Sequence, residues 1–377
     1  MSDNNTTKAE YKDRRKELDT AFKQQRLRAW QPILTPRTVL PTLFLIGIIF
    51  APLGGVLIYL SGQVSEIVID YTNCNSVGGE FSLIKEAKYS LPSVNGDGSG
   101  SFYYKSNKDK LYGSNPNNLD TNKCTIQLDI PVDIEGPVFL YYELTNFYQN
   151  HRRYIKSISY NQLLGQALLT ETELSDCAPL AVNENKIPYY PCGLIANSVF
   201  NDTIRPIQYL DDNNNKFTFS EQGIAWDSDS KKFSKTNYTP DQVLPPPNWV
   251  NRYPDGKYTD KYPPPDLSRD EHFQVWMRTA GLPTFRKLYG RTESDMKKGK
   301  YQLEIDSNFD VVQFNGKKAI VISTVSFLGG KNPYLGIAYL VVGGVCVLFG
   351  LIFTIRHIVK PRKLGDNSLL SWNRDQQ

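Results

Sequence analysis

VLPTLFLIGIIFAPLGGVLIYL, residues Val39 to Leu60, runs for 22 residues without a charged side chain. A bilayer core about 30 Å thick needs about 20 helical residues at a rise of about 1.5 Å, so this stretch is long enough to span one. Near the other end LGIAYLVVGGVCVLFGLIFTI, Leu335 to Ile355, adds 21 uncharged residues. A helix in a soluble core rarely stays free of charge for that length, so both runs read as transmembrane. A cleavable signal peptide would put a shorter apolar segment near the first residue; here 38 mostly polar residues come first, and the first span is expected to remain as an anchor.

Orientation follows from the basic residues beside each span, because positive flanks resist translocation. Lys23, Arg26, Arg28 and Arg37 precede the first, and Arg356, Lys360, Arg362 and Lys363 follow the second. The segment after the first span, SGQVSEIVIDY, has no basic residue, although Lys331 lies close to the second. The expected organisation is a cytosolic tail 1–38, a span 39–60, an exoplasmic or lumenal domain 61–334, a span 335–355 and a cytosolic tail 356–377.

Four of the five cysteines, Cys74, Cys124, Cys177 and Cys192, fall in the exterior segment, where an oxidising compartment would pair them; Cys346 lies in the second span. Four cysteines allow three connectivities, and the sequence does not choose among them. Sequential pairing, Cys74 with Cys124 and Cys177 with Cys192, is the expectation carried forward. Their wide spacing argues against a metal centre, which favours ligands in close pairs such as C-x-x-C. Two acceptor sequons, Asn201-Asp202-Thr203 and Asn237-Tyr238-Thr239, lie outside and are expected to carry glycans. Asn4 and Asn5 match the same pattern but fall on the cytosolic side.

The exterior segment reads as β-rich. CTIQLDIPV alternates Ile126, Leu128 and Ile130, KYQLEID alternates Tyr301, Leu303 and Ile305, and KFTF alternates Phe217 and Phe219, a period of two that buries one face. VVQFNGKKAIVIS sets Asn315-Gly316 between apolar runs and predicts a hairpin. An antiparallel, sandwich-like core is expected, interrupted by irregular inserts at 93–123 and, rich in proline, at 240–267. The prolines of the second insert predict an extended path over the surface.

LTNFYQNHRRYIKS, Leu144 to Ser157, places Leu144, Phe147, Tyr148, His151, Tyr154 and Ile155 on one side of a helix. That pattern predicts an amphipathic helix laid on the sheet, not a nucleic-acid platform. His151 is one of three histidines, and no G-x-S-x-G elbow accompanies it; WMRTAGLPTFRKLYG, Trp276 to Gly290, reads as a packed turn with a basic rim. Neither a G-x-x-x-x-G-K-[ST] phosphate loop nor a D-K-T-G stretch is present, so the chain is read as no enzyme and as needing no cofactor.

The spans carry a different signal. Gly336, Gly343 and Gly350 recur every seven residues on the second, and Gly47, Ala51 and Gly55 every four on the first, patterns that let helix backbones approach closely. Both stripes are expected to offer close contact to a partner helix, and in the tail before the first span Phe22, Leu27 and Trp30 interrupt dense positive charge and are expected to meet the anionic cytosolic leaflet.

FKQQRLRAWQPILTPRTVLP, LTNFYQNHRRYIKS, PCGLIANSVFNDT, GIAW, VWMRTAGLPTFRKLYG and GGKNPYLGIAYLVVG, in that order along most of the chain, resemble the ligand-effect modulator or cell-division-control protein fifty family, accessory subunits of lipid flippases. The resemblance implies a two-span protein with cytosolic ends and a disulfide-bonded, glycosylated, β-rich exterior. It implies a heterodimer with a type-IV P-type ATPase bound through both spans, the exterior and the N-terminal tail, which makes the two small-residue stripes, Phe22 and Trp30 a partner interface, together with contact with membrane lipids and no nucleic acid. It further implies a need for the subunit in the ATPase's exit from the endoplasmic reticulum and in flipping lipid toward the cytosolic leaflet, in the Golgi, endosomes or plasma membrane. The sequon at Asn201 falls inside one of the matching blocks. A two-span channel subunit shares this topology, but its pore would want polar span residues, and only Thr42, Tyr59, Tyr339 and Thr354 offer any. A two-span ectoenzyme is the remaining alternative.

Overall fold

A computed structural model describes residues 21–22, 25–27, 34–84, 87–92, 101–112, 117, 119–211, 216–327 and 329–361. The chain divides into two compact units, one of residues up to Gly55 and from Gly336 onward, the other Val56–Leu335.

The first unit is built on two long helices, α1 (Pro36–Gly62) and α7 (Tyr334–Val359). Both are long and apolar enough to cross a membrane. They are not the core helices of a soluble domain, because large apolar side chains such as Leu45, Ile48, Val341 and Phe353 remain exposed. What the two bury is their small-residue side. Gly336, Gly343 and Gly350 are the buried residues of α7.

Among its described residues the second unit carries twelve strands: β1 (Glu66–Asp70), β2 (Ser82–Leu83), β3 (Ala87–Ser90), β4 (Tyr103–Lys110), β5 (Asp120–Ile130), β6 (Val138–Leu144), β7 (Thr203–Ile204), β8 (Ile207–Tyr209), β9 (Lys216–Phe217), β10 (Phe285–Thr292), β11 (Gly299–Ser307) and β12 (Lys318–Thr324). Short helices α2 (Arg152–Lys156), α3 (Tyr160–Leu163), α4 (Leu194–Asn197), α5 (Asp227–Ser230) and α6 (Glu271–Met277) lie between β6 and β10. One sheet has the order β10-β6-β12-β1-β3, the other β2-β4-β5-β11-β8-β9 with β7 also on β11, and every pairing between these strands is antiparallel. Ile67, Leu140 and Ile322 from the first sheet and Ile126, Leu128 and Leu303 from the second join one buried cluster. The alternation in CTIQLDI and KYQLEID is realised in β5 and β11, which pair over their length with Leu128 opposite Tyr301.

Four expectations need correction. The Asn315-Gly316 hairpin is absent: β11 and β12 belong to different sheets, and a 3-10 turn Val312–Phe314 leads into Asn315 at φ 52°. Gly316 is required there for another reason, since a Cβ would come within 2.6 Å of the Thr145 carbonyl oxygen. LTNFYQNHRRYIKS is not one helix; Leu144 ends β6, Asn146 turns the chain at φ 58°, and only Arg152–Lys156 is helical. The first insert contains β4, which pairs with β5 from Tyr103↔Gln127 to Lys110↔Asp120. The proline-rich insert does not run over the surface; it winds through 3-10 turns and buries Trp249, Tyr258 and Leu267 in the common core.

Candidate functional site: the helix pair and the Asn201 wedge

In the helix pair the glycines of one helix meet backbone and aromatic rings of the other. A Cβ on Gly54 would lie 2.8 Å from the Gly336 carbonyl oxygen, one on Gly343 3.0 Å from the Ala51 amide nitrogen, and one on Gly350 3.0 Å from the Phe44 ring. Gly47 backs onto Val347 in the same way, and Phe50 meets Tyr339 edge to face at 5.0 Å. Within this closely packed seam an added methyl must displace backbone, ring or Val347 side-chain atoms, and dispersion contacts are lost if the helices part. The structure therefore sets Gly47, Ala51, Gly336, Gly343 and Gly350 in contact within the chain itself. Gly55 differs: nothing lies within 4 Å of the place its Cβ would take.

In the exterior unit both sheets converge on residues 200–205. Phe200 stacks on Tyr142 of β6 with ring centroids 3.9 Å apart. Asp202 is wholly buried; its carboxylate accepts from the Tyr71 hydroxyl at 2.8 Å and from the Lys318 ammonium at 2.7 Å, and also from the amides of Asn308 and Phe309. Burial, with the Asp202 charge second, holds the Tyr71 phenol well above its ordinary range. The Ile204 amide donates to the Tyr289 oxygen of β10, while Thr203 and Ile204 pair with β11. Arg205 reaches Asp306 at 2.7 Å and Asp109 at 3.3 Å. A segment of six residues thus ties β6, β10 and β12 of one sheet to β4 and β11 of the other.

Asn201, the first residue of the sequon, is held between these two anchors. Its Oδ1 is buried and has no hydrogen-bond partner among the described residues. The residue lines a cavity of about 860 Å³ that also takes in Asn251, Arg252, Tyr253 and Tyr262 from the proline-rich insert, and His272 and Tyr289. Arg252 lies over the Trp249 ring at 4.8 Å, and burial lowers its basicity. His272 Nε2 stands 3.1 Å from Glu221 Oε2, with the imidazole 4.4 Å from the Tyr289 ring.

Two disulfides brace the unit. Cys74 follows β1 and is bonded to Cys124 on β5, so one bond joins the two sheets across 50 residues of chain; Cys177 is bonded to Cys192 across 15. The second closes a small separate cluster with Leu174 and Ala181. In the larger core an aromatic nucleus gathers around Phe147, which meets Trp276, Phe285 and Phe314 within 6.2 Å. Lys287 is buried beside that nucleus and donates to the carbonyls of Val275, Trp276 and Arg278 at the end of α6; burial first and the Arg278 charge second push its amine down to about 7.

Among the other residues singled out by sequence, His151 stands on the surface just before α2 with no capping hydrogen bond from its side chain, and Asn237 is exposed. Phe22 is exposed, while Trp30, Asn4 and Asn5 lie outside the described residues. Among the described residues no three His, Cys, Asp or Glu side chains gather as a metal site. The Asp202–Lys318 pair and the cavity arose from no motif; the one available signal was a lysine, Lys318, opening the apolar run KAIVIS.

The sequence profile described as the LEM3 (ligand-effect modulator 3) family / CDC50 family matches residues 57–363. The "Phospholipid-transporting ATPase accessory subunit CRF1" of Saccharomyces cerevisiae is 40% identical over 361 residues, covering 95% of this chain and 89% of its own. The "Phospholipid-transporting ATPase accessory subunit CDC50" of Chaetomium thermophilum is 39% identical, with 94% and 90% covered. The mouse "Cell cycle control protein 50A" is 38% identical, with 89% and 88% covered.

Proposed function

The chain belongs to the LEM3/CDC50 family, and from that membership we propose that it is the non-catalytic accessory subunit of a phospholipid-transporting P-type ATPase, paired with the catalytic subunit as a heterodimer. It is an integral membrane protein, and the observation that carries the proposal is likeness over 95% of the chain, both apolar helices and the exterior unit included, to a relative named for that role. The basic flanks of the two spans support cytosolic termini and an exoplasmic domain. On this reading the partner passes through the endoplasmic reticulum with this subunit and flips lipid toward the cytosolic leaflet in later membranes.

The physical role is that of a rigid brace. A partner that changes shape as it turns over is best held by a body that does not, and two disulfides, a shared core and the Asp202–Lys318 pair all oppose deformation of the exterior unit. The glycine seam makes α1 and α7 one thick element, leaving Gly55 and the exposed apolar faces for the partner and lipid. Phe22 and Trp30 extend that contact on the cytosolic side. Asn201 and Asn237 are taken as N-glycosylated, which suits an exoplasmic address.

Purifying the tagged full chain in mild detergent should recover a large P-type ATPase in comparable amount. Removing the subunit from cells should strand that ATPase in the endoplasmic reticulum. If the chain purifies alone and the ATPase travels and flips lipid without it, the proposal fails. Ion conduction by the purified chain in planar bilayers would favour a channel instead.

A further inference from the structure

We propose that the cavity beside Asn201 is a carbohydrate subsite, and that it seats the first sugars of the glycan carried by Asn201 itself. The inference rests on the reading of Asn201 as glycosylated and goes beyond it: the glycan becomes a packed part of the fold instead of a solvated appendage.

Three independent observations converge. Asn201 is fixed on both sides, by Phe200 stacked on Tyr142 and by the buried Asp202, so its backbone is pinned beside the cavity wall. Its Oδ1 is buried without a partner among the described residues, and buried acceptors in folded proteins nearly always have one. An attached sugar brings hydroxyl and acetamido donors to that place. Finally, the cavity has the size and lining that a sugar uses. About 860 Å³ holds a disaccharide with room for water, Tyr253 and Tyr262 offer aromatic surface, and Asn251 offers an amide.

Arg252 is the most telling member. Its guanidinium lies on Trp249 and lines the cavity, yet it makes no hydrogen bond or ion pair with any other side chain or carbonyl among the described residues. Asp270, the acid beside it, already accepts from the Phe273 amide as the cap of α6. A guanidinium at the wall of an open cavity, with no hydrogen bond to the described residues, suits a ring of hydroxyl acceptors. A tethered sugar also needs little affinity of its own, because attachment at Asn201 holds it at a high effective concentration. Seating it would join the Asn201 wedge to the insert 240–267, which contains no strand among its described residues.

The test uses the full chain, produced in glycosylating cells and purified with its partner. Glycopeptide mass spectrometry first reports whether Asn201 carries a glycan. Native protein is then treated with a peptide amidase that cleaves the sugar–asparagine bond, and release at Asn201 is timed against the same chain after heat denaturation. A seated sugar shields that bond, so release from native protein should be slower by at least about tenfold, equivalent to about 1.4 kcal/mol of protection. In Arg252→Ala and Tyr262→Ala the glycan should remain attached and its release should accelerate toward the denatured rate. Equal rates in native and denatured wild type would overturn the subsite while leaving glycosylation intact. A bare Asn201 would overturn both. Slow release unchanged in either variant would place the shielding elsewhere and sink the proposal as well.

Discussion

The Lys318 ammonium stands 2.7 Å from the Asp202 carboxylate, and the two side chains are 3% and 0% exposed. Removing one member leaves the other charged and buried, which costs about 3–5 kcal/mol, whereas replacing both by apolar groups is often close to neutral. Lys318→Met should therefore lower the thermal midpoint strongly. Lys318→Met combined with Asp202→Leu should recover only part of the loss, because the Tyr71 hydroxyl and the Asn308 and Phe309 amides then lack their acceptor. Asp202→Asn preserves the acceptor sequence at Asn201, so a glycan shift on a gel separates loss of folding from loss of the sequon. Melting curves in which the double variant is worse than the sum of the singles would contradict the pairing.

How far this arrangement could be read in the sequence depended on the signal each part leaves. The apolar runs of α1 and α7 and the alternation in β5 and β11 are strong periodic signals because one continuous environment acts on each. β4, YYKSNKDK, is nearly as long as either strand, but its lysines and asparagine need no apolar partner on the solvent side, and the pattern vanished. Asn315-Gly316 carried the local chemistry of a hairpin while the flanking strands were claimed by different sheets. Tertiary contact likewise drew Trp249 and Tyr258 inward from a segment whose prolines spoke for the surface. The Asn201 cavity is assembled from segments far apart in the chain, and no window of sequence contains it.

Lys287 sets a pH dependence. Its amine titrates near 7 in the folded chain and near 10.4 when unfolded, so between those values the unfolded chain holds a proton that the folded chain has released. Stability should rise with pH across that window, by up to about 1.4 kcal/mol per unit, and the cost of burying the charge is felt in full below pH 7. Thermal midpoints of wild type should climb from pH 7 to pH 9 more steeply than those of Lys287→Met. Parallel slopes would mean that the three carbonyls at the end of α6 keep the amine charged.

The disulfides should differ in weight. In the chain-entropy account a closed loop of 50 residues is worth about 4 kcal/mol and one of 15 about 3, and only Cys74–Cys124 joins the two sheets. Replacing Cys74 and Cys124 together by Ser should abolish recovery of folded heterodimer, while Cys177→Ser with Cys192→Ser should yield a weakened but recoverable one. Peptide mapping without reduction that links Cys74 to Cys177 would undo this assignment.

The last prediction separates the two uses of glycine in the spans. Gly47 and Gly343 hold the seam between α1 and α7, where a larger side chain has no room, whereas Gly55 faces open space. Gly47→Leu or Gly343→Leu should split the helix pair inside this subunit, because the alternative is overlap with Val347 or with the backbone at Ala51. The full chain should then lose thermal stability even when purified without the ATPase, and heterodimer should be lost as a consequence. Gly55→Leu should leave the stability of the isolated chain unchanged. If the outward face of α1 meets the partner, the same change should lower copurification of the ATPase and hold both proteins in the endoplasmic reticulum. Cys346→Ala, which removes a single sulfur outside the glycine seam, should do neither. A Gly343→Leu chain that melts like wild type would show that the helices can part or shift at no cost, and the seam would lose its role as the element that makes the two spans act as one.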